Sequence, residues 1–515
     1  MVAGRSSRFP WWAAVWLLWA WGPSPLPVRA AGGTLELSVI DAASGEPLAV
    51  RVHLRNHLGR AARVPRAVAW GDHFVMDGRL VLDLPVGRYQ FEMERGLEYR
   101  LRTGEFTIER GANDHKQVEL PRFVDMRNEG WWSGDLHVQR SPREMQLLML
   151  AEDLHVAPVV PRDDASPARP GAGPPAEPLV RLSADRWYDL RAARDARDGG
   201  PLLYFQLPQP LPLPPAGQVE PLPVQWLVQT RREPPPHVDL PHPFCADLPM
   251  WIASGRVHSI GILHDHLLRG GVTDHEAGGR ARDKLRYPAP HGNGRWSQDI
   301  YYQLLNCGLR LPPSAGSGSG LGANPVGYNR VYVHCGQEFN YEKWWAGLRA
   351  GRVVVTNGPL LRPRVNGRLP GYVFRGYAGE PLELSVELKL STRDPIAYLE
   401  IIKNGRSERE VRLDEWAAAG GTLPPITFTE SGWLLVRAVA ATEHTYRYAT
   451  SGPFYVQCGD QPRISKAAAQ FFADWAGDRL RQAELDSTAS RGQLLRYQRA
   501  AAAFWQRRVE QANAE

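Results

Sequence analysis

The sequence predicts a multidomain chain that joins all-β parts to one α/β part, and three observations carry that prediction. The chain has 515 residues, too long for one ordinary domain. Its 44 prolines and 49 glycines demand many turns and strand ends rather than long helices. After Trp131 the pattern changes from alternation at period two to strand, helix, strand, the unit from which barrels and parallel sheets are built.

The first 30 residues read as a secretory signal peptide. Arg5 and Arg8 form a basic start, Trp11 to Trp21 is an unbroken apolar run, and Val28-Arg29-Ala30 offers small residues for cleavage after Ala30. That run is shorter than the roughly 20 apolar residues that cross a bilayer, and no later stretch is long and apolar enough, so no span is expected after cleavage. The expected destination is secreted or periplasmic. The formal charge of +6 falls to about +3 without Arg5, Arg8 and Arg29. The basic residues are scattered through loops rather than interleaved with aromatics in one block, so nucleic acid is not an expected partner. Cys245, Cys307, Cys335 and Cys458 could pair in an exported chain, but with no C-x-x-C a cysteine zinc site is not indicated.

Residues 31–124 read as a β-sandwich. Leu35, Leu37 and Val39 alternate with polar residues, and Ser44-Gly45-Glu46-Pro47 turns into Val50, Val52 and Leu54. A hairpin is expected at Asp77-Gly78 between Phe74-Val75-Met76 and Leu80-Val81-Leu82, followed by Tyr89, Phe91 and Met93 at period two.

Residues 125–360 read as the α/β part. In Gly134-Asp135-Leu136-His137-Val138-Gln139 an extended backbone puts Asp135, His137 and Gln139 on one face. Ser141-Pro142-Arg143-Glu144 predicts a capping box for a helix over Pro142 to Leu154, and Val156 to Val160 a buried strand. Proline crowds Ser166 to Pro178 and Gln206 to Pro223, so insertions near 161–223 are expected as loops outside the α/β layer. Between them a polar helix over Ala184 to Arg197 and a strand at Leu202 to Phe205 are expected. Leu248 to Ser254 predicts a short helix, Ser259 to Leu263 a buried strand, Gln298 to Leu309 an aromatic helix, Arg330 to His334 a strand, and Tyr341 to Ala350 a helix ended by Gly351. Residues 361–460 return to period two and predict a second β-sandwich, with a hairpin through Lys403-Asn404-Gly405-Arg406. Residues 461–515 are alanine-rich and predict a helical pair or tail, broken near Ser487 to Arg491.

Gly134-Asp135-Leu136-His137, the strand and helix after it, Leu348-Arg349-Ala350-Gly351-Arg352-Val353 and Thr356-Asn357-Gly358-Pro359 resemble the CehA/McbA-type branch of the PHP (polymerase and histidinol phosphatase) superfamily. The resemblance covers roughly residues 125 to 365. It implies a distorted (β/α)7 barrel flanked by the two β-sandwich domains and the helical tail, binding two or three zinc, iron or manganese ions and hydrolysing phosphate or ester bonds. The motif Asp-x-His-x-His becomes Asp135-Leu136-His137-Val138-Gln139, with an amide in place of one ligand. Thr-Asp-His should fall near Pro161-Arg162-Asp163-Asp164, which has no histidine. Gly-Ser-Asp-x-His aligns with Gly316-Ser317-Gly318-Ser319-Gly320, where glycines replace both ligands.

The candidate metal ligands are therefore His137 and two further histidine groups: His237 with Asp239, and His264 with His266, each pair sharing a face of an extended segment. The cofactor expectation is one divalent ion (zinc, iron or manganese) or none. No catalytic residue is assigned. Three functions stay open: an exported PHP-like hydrolase whose activity is residual, altered or absent, as in a pseudoenzyme, a non-catalytic extracellular protein that holds a small molecule or carbohydrate, and a structural protein of the cell envelope, for which only the multidomain β layout speaks. The second rests on Trp131-Trp132 and Trp344-Trp345 as an aromatic rim.

Overall fold

The computed structural model describes residues 32–161, 177–197, 199–209, 211, 213, 221–229, 235–485 and 491–515. The signal expected over 1–30 and most of the two proline-rich stretches lie outside these residues. The protein is mixed α/β with several sheets and far more strand than helix. Among the described residues no helix is long and apolar enough to cross a membrane.

At the N-terminal end two sheets share one core. Gly32–Asp41 pairs with Arg79–Pro85 and runs parallel to Asn113–Leu120, while Ala49–Asn56 pairs with His73–Asp77 and Gly87–Glu94. Leu35, Leu37, Val39, Val52, Leu54 and Phe74 meet between them. The hairpin expected at Asp77-Gly78 is absent, because the two strands beside that dipeptide belong to different sheets. Gly78 at φ +65° turns the corner, with no residues to spare for a two-residue loop.

In the middle of the chain Trp131–Gly134 runs parallel to Val156–Pro158, which in turn runs parallel to Arg186–Asp189. In a second sheet His237–Leu240, Ser259–Leu263 and Pro313–Ala315 are parallel neighbours. Residues 136–139 stitch the two sheets together: the Leu136 N–H donates to Ala315 O (3.1 Å) and the Gln139 N–H to Ser319 O (2.7 Å). The polar helix expected at Ala184 to Arg197 is instead two short strands, Arg186–Asp189 and Ala193–Asp195. Asp189 and Asp195 each accept the backbone N–H two residues on (2.9 and 3.3 Å), a local turn that competes with helix. The capping box is not formed either. Ser141 caps nothing with its side chain, and Glu144 is held by Arg140 at 3.0 Å.

The first sheet does not stop where the sequence suggested a boundary. Val353–Thr356 pairs with Tyr448–Ser451, which leads through Gly432–Ala440 to Ile396–Lys403, so the α/β part and the C-terminal β part share one continuous sheet. The Asn404-Gly405 hairpin forms as expected, both residues at positive φ. Helices Lys466–Leu485 and Arg491–Glu510 dock through Phe472, Trp475 and Trp505 onto the main core. Trp475 donates its indole N–H to Ala246 O at 2.9 Å and Trp505 to Pro249 O at 2.9 Å. All four cysteines are free thiols.

Candidate metal centre

The site lies where parallel strands end. Side chains just past the carboxyl ends of such strands are freed from the ladder and point into one shared crevice. Residues 135–139 follow Trp131–Gly134, His242 follows His237–Leu240, His264-Asp265-His266 follows Ser259–Leu263, and Gly316 follows Pro313–Ala315.

Asp135 is the pin of this arrangement. Fully buried, it accepts the N–H of His137 (3.0 Å), Ser317 (2.9 Å) and Gly327 (2.7 Å), fastening the histidine segment to the glycine loop. Burial pushes its carboxyl pKa up, and the three amides pull against that. Gly134 is required by packing, since a Cβ there would stand 2.3 Å from the Trp344 ring. Trp131, Trp132, Trp344 and Trp345 are all buried, so they build core and not the exposed aromatic rim that the sequence suggested. A large apolar ring gains more from the core than from a wet rim.

Four histidines and one aspartate gather around the strand ends. His242 Nε2 meets Asp265 Oδ1 at 2.5 Å, and the His242 ring centre lies 5.2 Å from that of His264 and 5.1 Å from that of His266. His275 follows at 5.5 Å from His266. Phe244 stacks on His242 at 5.3 Å and closes the group on one side. His242, His264 and Asp265 each offer one donor atom, all within 4.8 Å of one another. Ser297 fixes the His264 tautomer. Its hydroxyl donates to Asn293 O (3.0 Å) and so accepts the His264 Nε2 proton (2.8 Å), which leaves the lone pair on Nδ1, where it accepts the His266 backbone N–H at 3.3 Å and an ion would displace that contact. Burial drives the His264 pKa well down and that of His266 to about 4, so both are neutral imidazoles at neutral pH. The Asp265 carboxyl is held well below the usual range by His242 in spite of its burial.

These donors fit one divalent ion. Neutral imidazole and carboxylate are the ligand types that zinc, iron and manganese accept, and the ion would take the place of the proton between His242 and Asp265. They do not fit a three-ion centre. The Gln139 amide nitrogen contacts His137 Nε2 at 3.2 Å, and Gly316, Gly318 and Gly320 have no side-chain donor. Nor is there room for one: a Cβ at Gly316 would stand 2.5 Å from the His137 Cβ, and one at Gly318 2.4 Å from the Asp265 Cβ. A side chain at either glycine would collide with residues already in place.

Of the sequence candidates, His137, Asp239 and His264 line one small buried cavity together with Gly316, and His266 borders it through His264. Asp239 accepts hydroxyls from Ser259 (2.5 Å) and Ser314, and burial raises its pKa to about 6. His237 lies at the amino end of its strand, about 10 Å of backbone before the crevice. It is fully buried, donates to Ser259 Oγ (2.7 Å) and packs on Trp345, so it is not brought to the other candidates. Sequence reading passed over His242 and Asp265 as ligands. The available signal was position, two residues beyond each strand, rather than alternation along one face.

No protein-family model matches the chain, and no curated protein matches it in sequence. Among solved structures, the Bacillus anthracis TIE protein is similar over 22% of this chain and 19% of that one, at 19% identity and a TM-score of 0.15.

Proposed function

We propose that this is an exported hydrolase of the CehA/McbA-type PHP branch in which a multinuclear centre has contracted to one divalent ion held by His242, His264 and Asp265. The observation that carries the reading is the meeting of these three donors at the ends of parallel strands, beside His137 and His266. A bound ion would supply Lewis-acid polarisation of a phosphoryl or carbonyl oxygen. The chain's own residues orient His264 through Ser297, pin the neighbouring His137 segment through Asp135, and bury His137 and His264 almost completely. The cavity beside them is about 10 Å³, room for about one water, and is closed in by Leu136, Leu203 and Leu263, which supports residual, altered or absent turnover. The test is zinc, iron and manganese content of the purified full chain, with hydrolysis of p-nitrophenyl phosphate and a p-nitrophenyl ester. Asp265→Asn is expected to lose the ion and any activity together; a variant that keeps both would reject the reading.

One observation favours a second reading, a small-molecule or carbohydrate-binding protein. A polar pocket of about 360 Å³ opens between the helix Gly292–Asn306 and the C-terminal strands, lined by Tyr287, Arg295, Tyr302, Tyr398, Glu400 and Arg437. The Tyr302 hydroxyl is buried there without a hydrogen-bond partner among the described residues. A saccharide offers hydroxyls for such a group and apolar faces for tyrosine rings. Saturable sugar binding abolished by Tyr302→Phe, with no hydrolysis and no retained metal, would favour this reading over the first.

A further inference from the structure

A second group of metal-type donors lies in the N-terminal β part, outside the crevice described above. The antiparallel register that pairs Val52 with Phe74 brings His53 and His73 side by side, with ring centres 5.3 Å apart. Asp72, in the turn just before His73, reaches both. Its Oδ2 is 3.3 Å from His53 Nδ1, and its Oδ1 is 3.5 Å from His73 Nδ1. The three residues offer donor atoms that all lie within 4.8 Å of one another.

Those two separations lie beyond the usual hydrogen-bond range of about 2.7–3.2 Å. They match the edge between two ligands of a tetrahedral ion, about 3.3 Å for bonds of about 2.0–2.1 Å. His53 supplies an independent sign of a missing partner. Its imidazole is 4% exposed and neither ring nitrogen has a hydrogen-bond partner among the described residues. Leaving a buried polar atom so costs about 1–3 kcal/mol. The nearby cations are largely answered by other acids: Arg51 binds Glu94 and Glu152, and Arg269 binds Glu92 and Glu94. Arg55 is the exception, with Nη2 2.8 Å from Asp72 Oδ2.

We propose that His53, Asp72 and His73 bind a zinc-type divalent transition ion through three protein donors, with water completing the sphere from the half-exposed Asp72 side. The consequence reaches the candidate centre. The turn that carries Asp72 follows directly on the strand Val68–Trp70, and the Trp70 indole N–H donates to Gly322 O (2.7 Å) beside the glycine loop, with Arg140 4.9 Å over the same ring. An ion in this turn fixes the face on which that loop rests. The site stands independently of the hydrolase reading.

The test is titration of the metal-stripped full chain with cobalt(II), reading the visible band of a four-coordinate ion. It is done in an Asp265→Asn background so that the candidate centre is silent. One cobalt ion per chain is expected to remain. Adding Asp72→Asn, at a half-exposed position that leaves the core intact, is expected to weaken binding at least about tenfold. Arg55→Ala is expected to tighten it, because it frees the carboxylate from its competing cation; a merely structural hydrogen-bond cluster gives no such gain. Absence of the band in the Asp265→Asn chain, or a band unmoved by Asp72→Asn, overturns the proposal. A band lost only with Asp72→Asn and unaffected by Asp265→Asn in the wild-type chain keeps it and removes the hydrolase reading instead.

Discussion

Gln139→His puts a second imidazole beside His137, and the structure lets its effect be worked out with both signs. Gln139 is 3% exposed and its amide nitrogen stands 3.2 Å from His137 Nε2, on the same side of the extended segment. In the absence of metal the variant loses that contact, about 1 kcal/mol, and gains two close imidazoles that disfavour protonation of either. With metal the sign reverses. The new ring nitrogen replaces an amide nitrogen beside His137 and adds an imidazole donor next to the His242, His264 and Asp265 group, so affinity should rise at least about tenfold, or ~1.4 kcal/mol. Ion present at about a hundred times its Kd then stabilises the fold by about 2.7 kcal/mol. The assay is paired thermal unfolding with chelator and with added zinc or manganese, together with chelator competition for affinity. The variant should melt below the wild type with chelator and at or above it with metal. Equal metal affinity in Gln139→His and the wild type, or a gain that survives His137→Ala, would refute the reasoning, because it would mean that position 139 no longer faces any surviving donors.

Three further outcomes follow from the same geometry. Asp135→Asn replaces an acceptor of three backbone amides with a group that can accept at only one of its two atoms, and should cost about 2–4 kcal/mol by denaturant unfolding, with the glycine loop losing amide-exchange protection first. Gly316→Ala pushes a methyl to within 2.5 Å of the His137 Cβ and should destabilise by about 1–3 kcal/mol while lowering metal uptake, whereas His237→Gln should lower the melting temperature and leave uptake unchanged. His155 is fully buried, and burial drives its pKa down to about 3, so it is neutral in the fold but protonates in the unfolded chain below about 6.5. Stability held through the neutral ring is therefore lost as pH falls from 6.5 toward 3, by up to about 1.4 kcal/mol per unit. Measured against His155→Gln from pH 7 to pH 5, the wild-type advantage should shrink; a constant difference would show that the ring is not held neutral.

By itself the sequence determined the parts whose signals are local. Period-two alternation placed the strands on either side of the α/β part, Asn404-Gly405 placed a hairpin, and Gly351 ended a helix, because backbone sterics and side-chain alternation act over a few residues. Local rules misled where a distant partner outbid them. Asp77-Gly78 became a corner between sheets, and Arg186–Asp189, inside the expected helix, became a strand beside Val156–Pro158, while a nearer partner, Arg140, took Glu144 from the cap. The candidate site divides in the same way. That Gln139 offers an amide, and Gly316, Gly318 and Gly320 no side-chain donor at all, was legible residue by residue. That His242, His264 and Asp265 meet, that His237 does not join them, and that His53 faces His73 were decided only by tertiary structure. Sheet register and strand direction set which chain segments end in one crevice, and those distances span from twenty to more than a hundred residues of sequence, beyond the reach of any local pattern.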